Sequence, residues 1–268
     1  MSVNQTLKDR PTNGSKPPNG NDTPDSEGAI YRGPQRPHPS PSIHEDVISR
    51  HHSRDPVSRE TVYDPIVSRM SLAVGSARLA VEKATKVAEA LFANQFITVA
   101  ARHRAVQDKC HRLTQPVLSD IDNALASCRR EIETLETKTS SPPRPTDASG
   151  YFLASEVRQR LAAMDEVSRE AALSQVLSDD DDAALGAILS ASPMLTGITK
   201  ARQQVLRSAW QKQRFASELE RISRLKKALE DTERAGTLTL TYTLGLSSAE
   251  IVRRAEASER AVEDALKS

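Results

Sequence analysis

Apolar residues between Ile66 and Leu135 recur at alternating spacings of three and four. The first run is Val67, Met70, Val74, Ala77, Val81, Ala84, Ala88 and Leu91. After a slip of register the spacing resumes through Phe92, Phe96, Val99, His103, Val106, Cys110, Leu113 and Val117, and after another through Leu118, Ile121, Leu125, Cys128, Ile132 and Leu135. This is the a/d pattern of helices that pack along their whole length. Asp64-Pro65 provides a start, with an acceptor for the first free amides and a proline where no intrahelical bond is lost. The pattern predicts one helix over 65–138, roughly 100 Å long if unbroken. Thr114-Gln115-Pro116 is the expected split or sharp kink, because proline removes a donor and clashes with the preceding turn.

The rest of the chain predicts shorter elements. Residues 139–150, with Pro142-Pro143-Arg144-Pro145, form a stiff linker whose PxxP spacing reads as loop rather than as a ligand motif. Residues 151–193 carry short amphipathic stripes, such as Leu153, Val157, Leu161 and Met164, in an acidic background. A second long helix is expected over 194–235, with Val205, Trp210, Phe215, Ile222, Leu225 and Leu229 on its apolar side, ended by Gly236. Within 236–246, Thr237-Leu238-Thr239-Leu240-Thr241-Tyr242-Thr243-Leu244 alternates strictly, with β-branched residues at every second place, and reads as a strand. One strand leaves its backbone groups unpaired, so it is expected to pair with the N-terminal arm or to add to another subunit. Ser247-Ser248-Ala249-Glu250 is a capping-box pattern that opens a docking helix over 247–268. Residues 1–64 hold eight prolines up to Pro41 among Asn, Ser, Gly and charges, and read as a disordered or extended arm. Ile43 to Tyr63 is the part expected to order on a partner surface.

The fold class is therefore mainly α: long coiled-coil-like helices packed antiparallel, a short-helix module, one C-terminal strand and a docking helix. Composition agrees. Aromatics are only 3% of the chain, while charged residues are 27%, the balance of elongated helices rather than of an aromatic-rich enzyme core. The net charge of +1 gives no overall bias toward nucleic acid or anionic membrane. Sign is nevertheless segregated. Lys200, Arg202, Arg207, Lys212, Arg214, Arg221, Arg224, Lys226, Lys227 and Arg234 follow the acidic module, and this separation is able to steer the two together within a chain or between subunits.

Candidate chemistry is sparse. The sequence holds no Gly-rich phosphate loop, HExxH, GxSxG or CxxC. His38, His44, His51 and His52 lack metal-ligand spacing, and His103, Cys110 and His111 share a helix face without a fourth ligand. The run Asp179 to Asp182 fits a helix N-terminus better than a calcium loop. Cys110 and Cys128 sit at a/d positions and read as small core residues of a reducing compartment. No run of apolar residues is long enough to span a membrane, and the N-terminus carries no apolar signal core.

One stretch carries a likeness. Asp181-Asp182-Ala183-Ala184-Leu185-Gly186-Ala187-Ile188-Leu189-Ser190-Ala191-Ser192-Pro193-Met194-Leu195-Thr196-Gly197-Ile198 resembles a segment of uncharacterised phage and prophage-encoded helical proteins, in which an Ala/Leu-rich helix runs into a Pro-apolar-Leu-Ser/Thr-Gly turn. The resemblance implies a phage-related setting and carries over no functional residue.

The expectation is a non-enzymatic structural or assembly protein, cytoplasmic or within an assembled particle, that needs no cofactor or small-molecule substrate and associates with itself or with other structural proteins. Its interface residues are expected to be Leu118, Ile121, Leu125, Ile132 and Leu135 on the helix seam, and Leu238, Leu240, Tyr242 and Leu244 on the strand. The alternatives are a secreted bacterial effector with a disordered N-terminal signal, and a nucleic-acid-binding adaptor using the basic face of 200–234.

Overall fold

The computed structural model describes residues 39–267. Their fold is mainly α, with one two-stranded ribbon. Helix α1 (Glu45–Ser49) and the strands β1 (Ser53–Arg54) and β2 (Thr61–Val62) precede two long helices, α2 (Pro65–Ala93) and α3 (Val99–Ser140). Four shorter helices follow: α4 (Ala148–Ala163), α5 (Glu166–Ser178), α6 (Asp182–Leu189) and α7 (Lys200–Arg214). The chain closes with α8 (Ala216–Leu244) and α9 (Ala249–Lys267).

The long seam folds back on itself, and it does so at the first register slip. Helix α2 ends at Ala93. Asn94 Oδ1 accepts from the Phe96 amide at 2.9 Å, and Thr98 Oγ1 caps α3 through the Ala101 amide. The slip between Leu91 and Phe92 marks this reversal. The break expected at Pro116 does not occur: α3 runs through it. Arg112, Gln115 and Pro116 all face solvent, so the Arg112 carbonyl that loses its amide donor is left to water. The cost of about 3 kcal/mol for an interior proline is offset by burial on the other faces of the helix. Ile121, Leu125, Cys128, Ile132 and Leu135 all pack against α2 and α8.

The basic stretch is also two helices rather than one. Phe215 leaves helical backbone (φ −126°, ψ 33°) and packs edge-on to Trp210 at 5.4 Å. Helix α8 then passes straight through Gly236, where a Cβ would stand 3.3 Å from the Ile121 side chain of α3. A glycine inside this helix serves close packing and does not end it. Helix α8 runs antiparallel to α3, pairing Lys138 with Glu218 at one end and Arg129 with Glu233 further along. Helices α2, α3 and α8 thus form a three-helix bundle closed within one chain.

The α2 and α8 walls of the bundle core are rich in small side chains. Val67, Val74, Ala77, Val81, Ala84 and Ala88 of α2 are essentially inaccessible, as are Ala228 and Ala235 of α8. Small residues let helix axes come close, which explains how 3% aromatics suffice. Ile121, Leu125, Ile132 and Leu135 of α3 pack against these small groups, and at the far end Phe92 packs with Val106, Cys110 and Leu246.

The acidic short helices share a second core with α7, formed by Leu161, Leu173, Leu185 and Ile188 with Leu206 and Trp210. The charge separation seen in the sequence is resolved inside the chain: Arg202 pairs with Glu170, and Arg214 with Asp180 and Asp182. Arg207 and Gln211 tie the module to the end of α3 through the Ser140 and Thr139 carbonyls. Asp181 caps α6, its carboxylate accepting from the Ala183 and Ala184 amides at 3.0 Å each, the helix-start role expected of the aspartate run. Gly197 turns with φ +67°, and Thr199 caps α7.

The arm expected over 1–64 lies largely outside the described residues, but its last part is packed on this chain's own bundle. Ile43 and Ile48 are buried against α2. Glu45 holds Arg78, His51 and Arg50 hold Asp231, and Asp64 holds Arg221, which also reaches Glu131.

Candidate partner groove

The stretch 237–244 corrects the sequence reading most sharply: it is the last two turns of α8 and not a strand. Thr239 and Thr243 are buried, as is Thr232 two turns earlier on the same stripe. Each donates its hydroxyl to the carbonyl four residues back, at 2.7 to 2.8 Å. Such back-bonding satisfies a buried hydroxyl without any partner on a neighbouring helix. Threonine is also small enough to sit where α8 closes on α2 and α3. Alternation in sequence then sends the leucines elsewhere: Leu240 is 46% exposed and Leu244 63%. At these four positions the α8 terminus is inverted, with the hydroxyls of Thr239 and Thr243 inside and Leu240 and Leu244 outside.

The remaining expected interface residues divide in the same way. Ile121, Leu125, Ile132 and Leu135 are consumed by the intrachain core. Leu238 is half-buried against it, and Tyr242 turns to α2, its hydroxyl 3.2 Å from that of Thr85. Leu118, Leu240 and Leu244 stay at the surface and come together. They line a groove of about 470 Å³ between α3 and the end of α8. On α3 its wall is the single stripe Gln107, His111, Gln115, Leu118 and Asp122, with Cys110 and Thr114 toward the floor; Ser247 and Ala249 close one end. An apolar middle with a polar rim, running along two antiparallel helices, is the shape that accepts the apolar face of a further helix.

The closed end is fixed by a group that sequence inspection placed only as a seam residue. His103 is fully buried, stacks edge-on to Phe92 at 4.9 Å, and accepts from the Ser248 amide through Nδ1 at 2.9 Å. Ser248, not Ser247, opens α9, accepting from the Ile251 amide. Glu250 pairs instead with Arg254. The expected capping box is thus replaced by an imidazole from α3. Its acceptor role puts the neutral ring's proton on Nε2. The apolar stripe of α9 begins on the bundle, with Val252 buried, and Glu259 pairs with Arg104 at 2.9 Å.

The other candidate sites dissolve into structure. His44 caps α1, His51 pairs with Asp231, and His52 accepts from the Asp64 amide. Among the described residues no group of three His, Cys, Asp or Glu is placed to hold a metal ion, and no helix is long and apolar enough to cross a membrane. Cys128 is buried, and desolvation, reinforced by the nearby Asp64 charge, pushes its thiol up to about 11. The basic face of 200–234 is largely spent: Arg202, Arg214, Arg221, Arg224, Lys226 and Arg234 have carboxylate partners within the chain, and Arg207 holds two carbonyls.

No protein family matches the chain, and no curated protein or solved structure matches it.

Proposed function

We propose that this chain is a non-enzymatic assembly protein that works by accepting an amphipathic helix in the groove of Leu118, Leu240 and Leu244. One observation carries the reading: on the last turns of α8, Thr239 and Thr243 are buried while Leu240 and Leu244 are exposed. Clustered leucines facing water are unfavourable for a chain acting alone, and contiguous apolar patches rimmed by polar groups mark contact surfaces. The seam residues Ile121 to Leu135 support a revised route to assembly, because they hold the bundle rigid and leave contact to the groove. A phage particle component or assembly factor is one concrete form of this role, the one implied by the 181–198 likeness.

The nucleic-acid alternative loses its main support, since intrachain carboxylates already occupy most of the basic face. The test of the leading reading uses the full chain with Leu244→Cys carrying an environment-sensitive fluorophore, titrated with a panel of amphipathic helical peptides. A blue shift with at least one helix, abolished by Leu118→Asp, is expected. No response to any helix, or an equal response in Leu118→Asp, refutes it.

A further inference from the structure

Helix α9 has the converse defect of the groove. From Ala257 to Lys267 every residue is exposed, yet the apolar stripe continues, with Val262 58% and Leu266 82% exposed. Among the described residues there is therefore a groove without a helix and a helical stripe without a groove. The chain is unable to join them by itself. Helix α9 starts at the groove's closed end, where Ala249 lines it, and runs the other way along α3, to the Arg104–Glu259 pair.

We propose that the occupant of the groove is the α9 stripe of a second copy of this chain. This rests on the helix-accepting reading above and names the partner. Lengths agree: 257–267 spans about 16 Å as helix, and the groove from Gln107 to Asp122 about 22 Å. Spacing agrees as well. Val262 and Leu266 are four apart, as are Leu240 and Leu244 on one wall and Thr114 and Leu118 on the other. With Leu266 seated between Leu118 and Leu240, Val262 falls level with Thr114 and Leu244. Charge then sets the direction. In the orientation parallel to α3, Lys267 lies one turn from Asp122, and neither is ion-paired among the described residues. The reverse orientation moves Lys267 from Asp122 toward His111.

The test has three readouts on the full chain. Light scattering after size exclusion is expected to show a dimer or larger closed assembly that becomes monomeric in Val262→Asp/Leu266→Asp, with helical circular dichroism unchanged because both positions face solvent. Mild diamide oxidation of a mixture of Leu240→Cys and Leu266→Cys chains is expected to yield a covalent dimer that neither variant forms alone. Native Cys110 and Cys128 are buried and leave a low background. A chain that is monomeric throughout, an assembly that survives Val262→Asp/Leu266→Asp, or crosslinking of Leu240→Cys with itself overturns the proposal. The third readout separates the two claims. If the fluorophore at position 244 ignores rising concentration of this chain but responds to another helix, the second-copy proposal falls and the helix-accepting reading stands. If it responds to neither, both fall.

Discussion

Replacing Thr239 by leucine, beside Leu240→Ala, opposes the two ways of reading 237–244. In the helix, Thr239 has no accessible surface and its hydroxyl sits 2.8 Å from the Ala235 carbonyl. A leucine there adds carbon bulk where α8 closes on α2 and α3, and overpacking of this kind costs about 1–3 kcal/mol. Thr239→Val keeps the shape. It forfeits only a second bond to a carbonyl already inside the helix ladder, so it is expected to lie within about 1 kcal/mol of the parent. Leu240 keeps nearly half its surface in water (46%). Full burial of a leucine stabilises by about 2 kcal/mol, so truncation to alanine loses at most about 1 kcal/mol. Better helix propensity returns a few tenths. On the inner face of a strand the order reverses, and Leu240→Ala costs about 2–5 kcal/mol. Urea unfolding followed at 222 nm, with unchanged slope as the check on two-state behaviour, ranks the three variants. The expected order of loss is Thr239→Leu greatest, Leu240→Ala and Thr239→Val both small. A Leu240→Ala loss above about 2 kcal/mol with Thr239→Leu neutral refutes the inverted terminus.

Three further outcomes test the surrounding structure. Gly186→Ala places a Cβ 2.3 Å from the Pro143 carbonyl oxygen, a clash of about 1–3 kcal/mol that exceeds the roughly 1 kcal/mol alanine gains in a helix; fluorescence of Trp210, the single tryptophan, reports the earlier unfolding of its module, and an unshifted midpoint contradicts the close approach. At Asp64, burial works to raise the carboxyl pKa, but hydrogen bonds from Arg221 and the Ile66 amide, with the Arg221 charge, outweigh it and hold the group below its ordinary value. The unfolded chain therefore takes up the proton first as pH falls. The contribution of Asp64 is present near neutrality and is lost below about pH 4. Asp64→Asn is expected to cost about 1 kcal/mol at pH 7 and progressively less as pH falls below about 4, whereas a pH-independent difference sinks the assignment. Cys128, at about 11 against an ordinary 9.0, holds about 100-fold less thiolate at pH 8 than a free thiol; iodoacetamide labelling of the folded chain at the free-thiol rate contradicts its burial.

The sequence carried the architecture wherever apolar spacing was the dominant force. Val67 through Ala88, and Ile121 through Leu135, were read on the face they occupy. Helix starts at Asp64 and Asp181 were legible because a side-chain acceptor beside free amides is a local arrangement. Failures came where a local signal was overruled by packing. Pro116 is a strong breaker in isolation, yet it lies on a solvent face of a helix held by its other sides. Gly236 reads as a stop, yet it is where Ile121 needs room. Thr237 to Leu244 has a period of two, and threonine favours strands, but the buried Thr239 and Thr243 hydroxyls, bonded to their own helix turn, remove the objection to a helix. The better clue was spacing across the whole run: Ala228, Thr232, Ala235, Thr239 and Thr243 continue the three-and-four pattern of small residues on α2. The groove is half legible, since Leu118, Leu240 and Leu244 read as contact residues from the sequence. What sequence left open was which seam residues the chain would use on itself. The imidazole of His103 beneath α9 joins residues 145 apart, and no local pattern announces it.

The outward leucines of α8 are tested most directly by accessibility of neighbouring positions. Thr243→Cys and Leu244→Cys are made separately in the full chain, and their reaction rates with a water-soluble thiol reagent are compared at concentrations low enough to keep the chain monomeric. The structure requires the thiol at 244 to react as an exposed group and the thiol at 243 to be slower by roughly two orders of magnitude. Equal rates, or a faster thiol at 243, contradict the groove and with it the assembly role built on it.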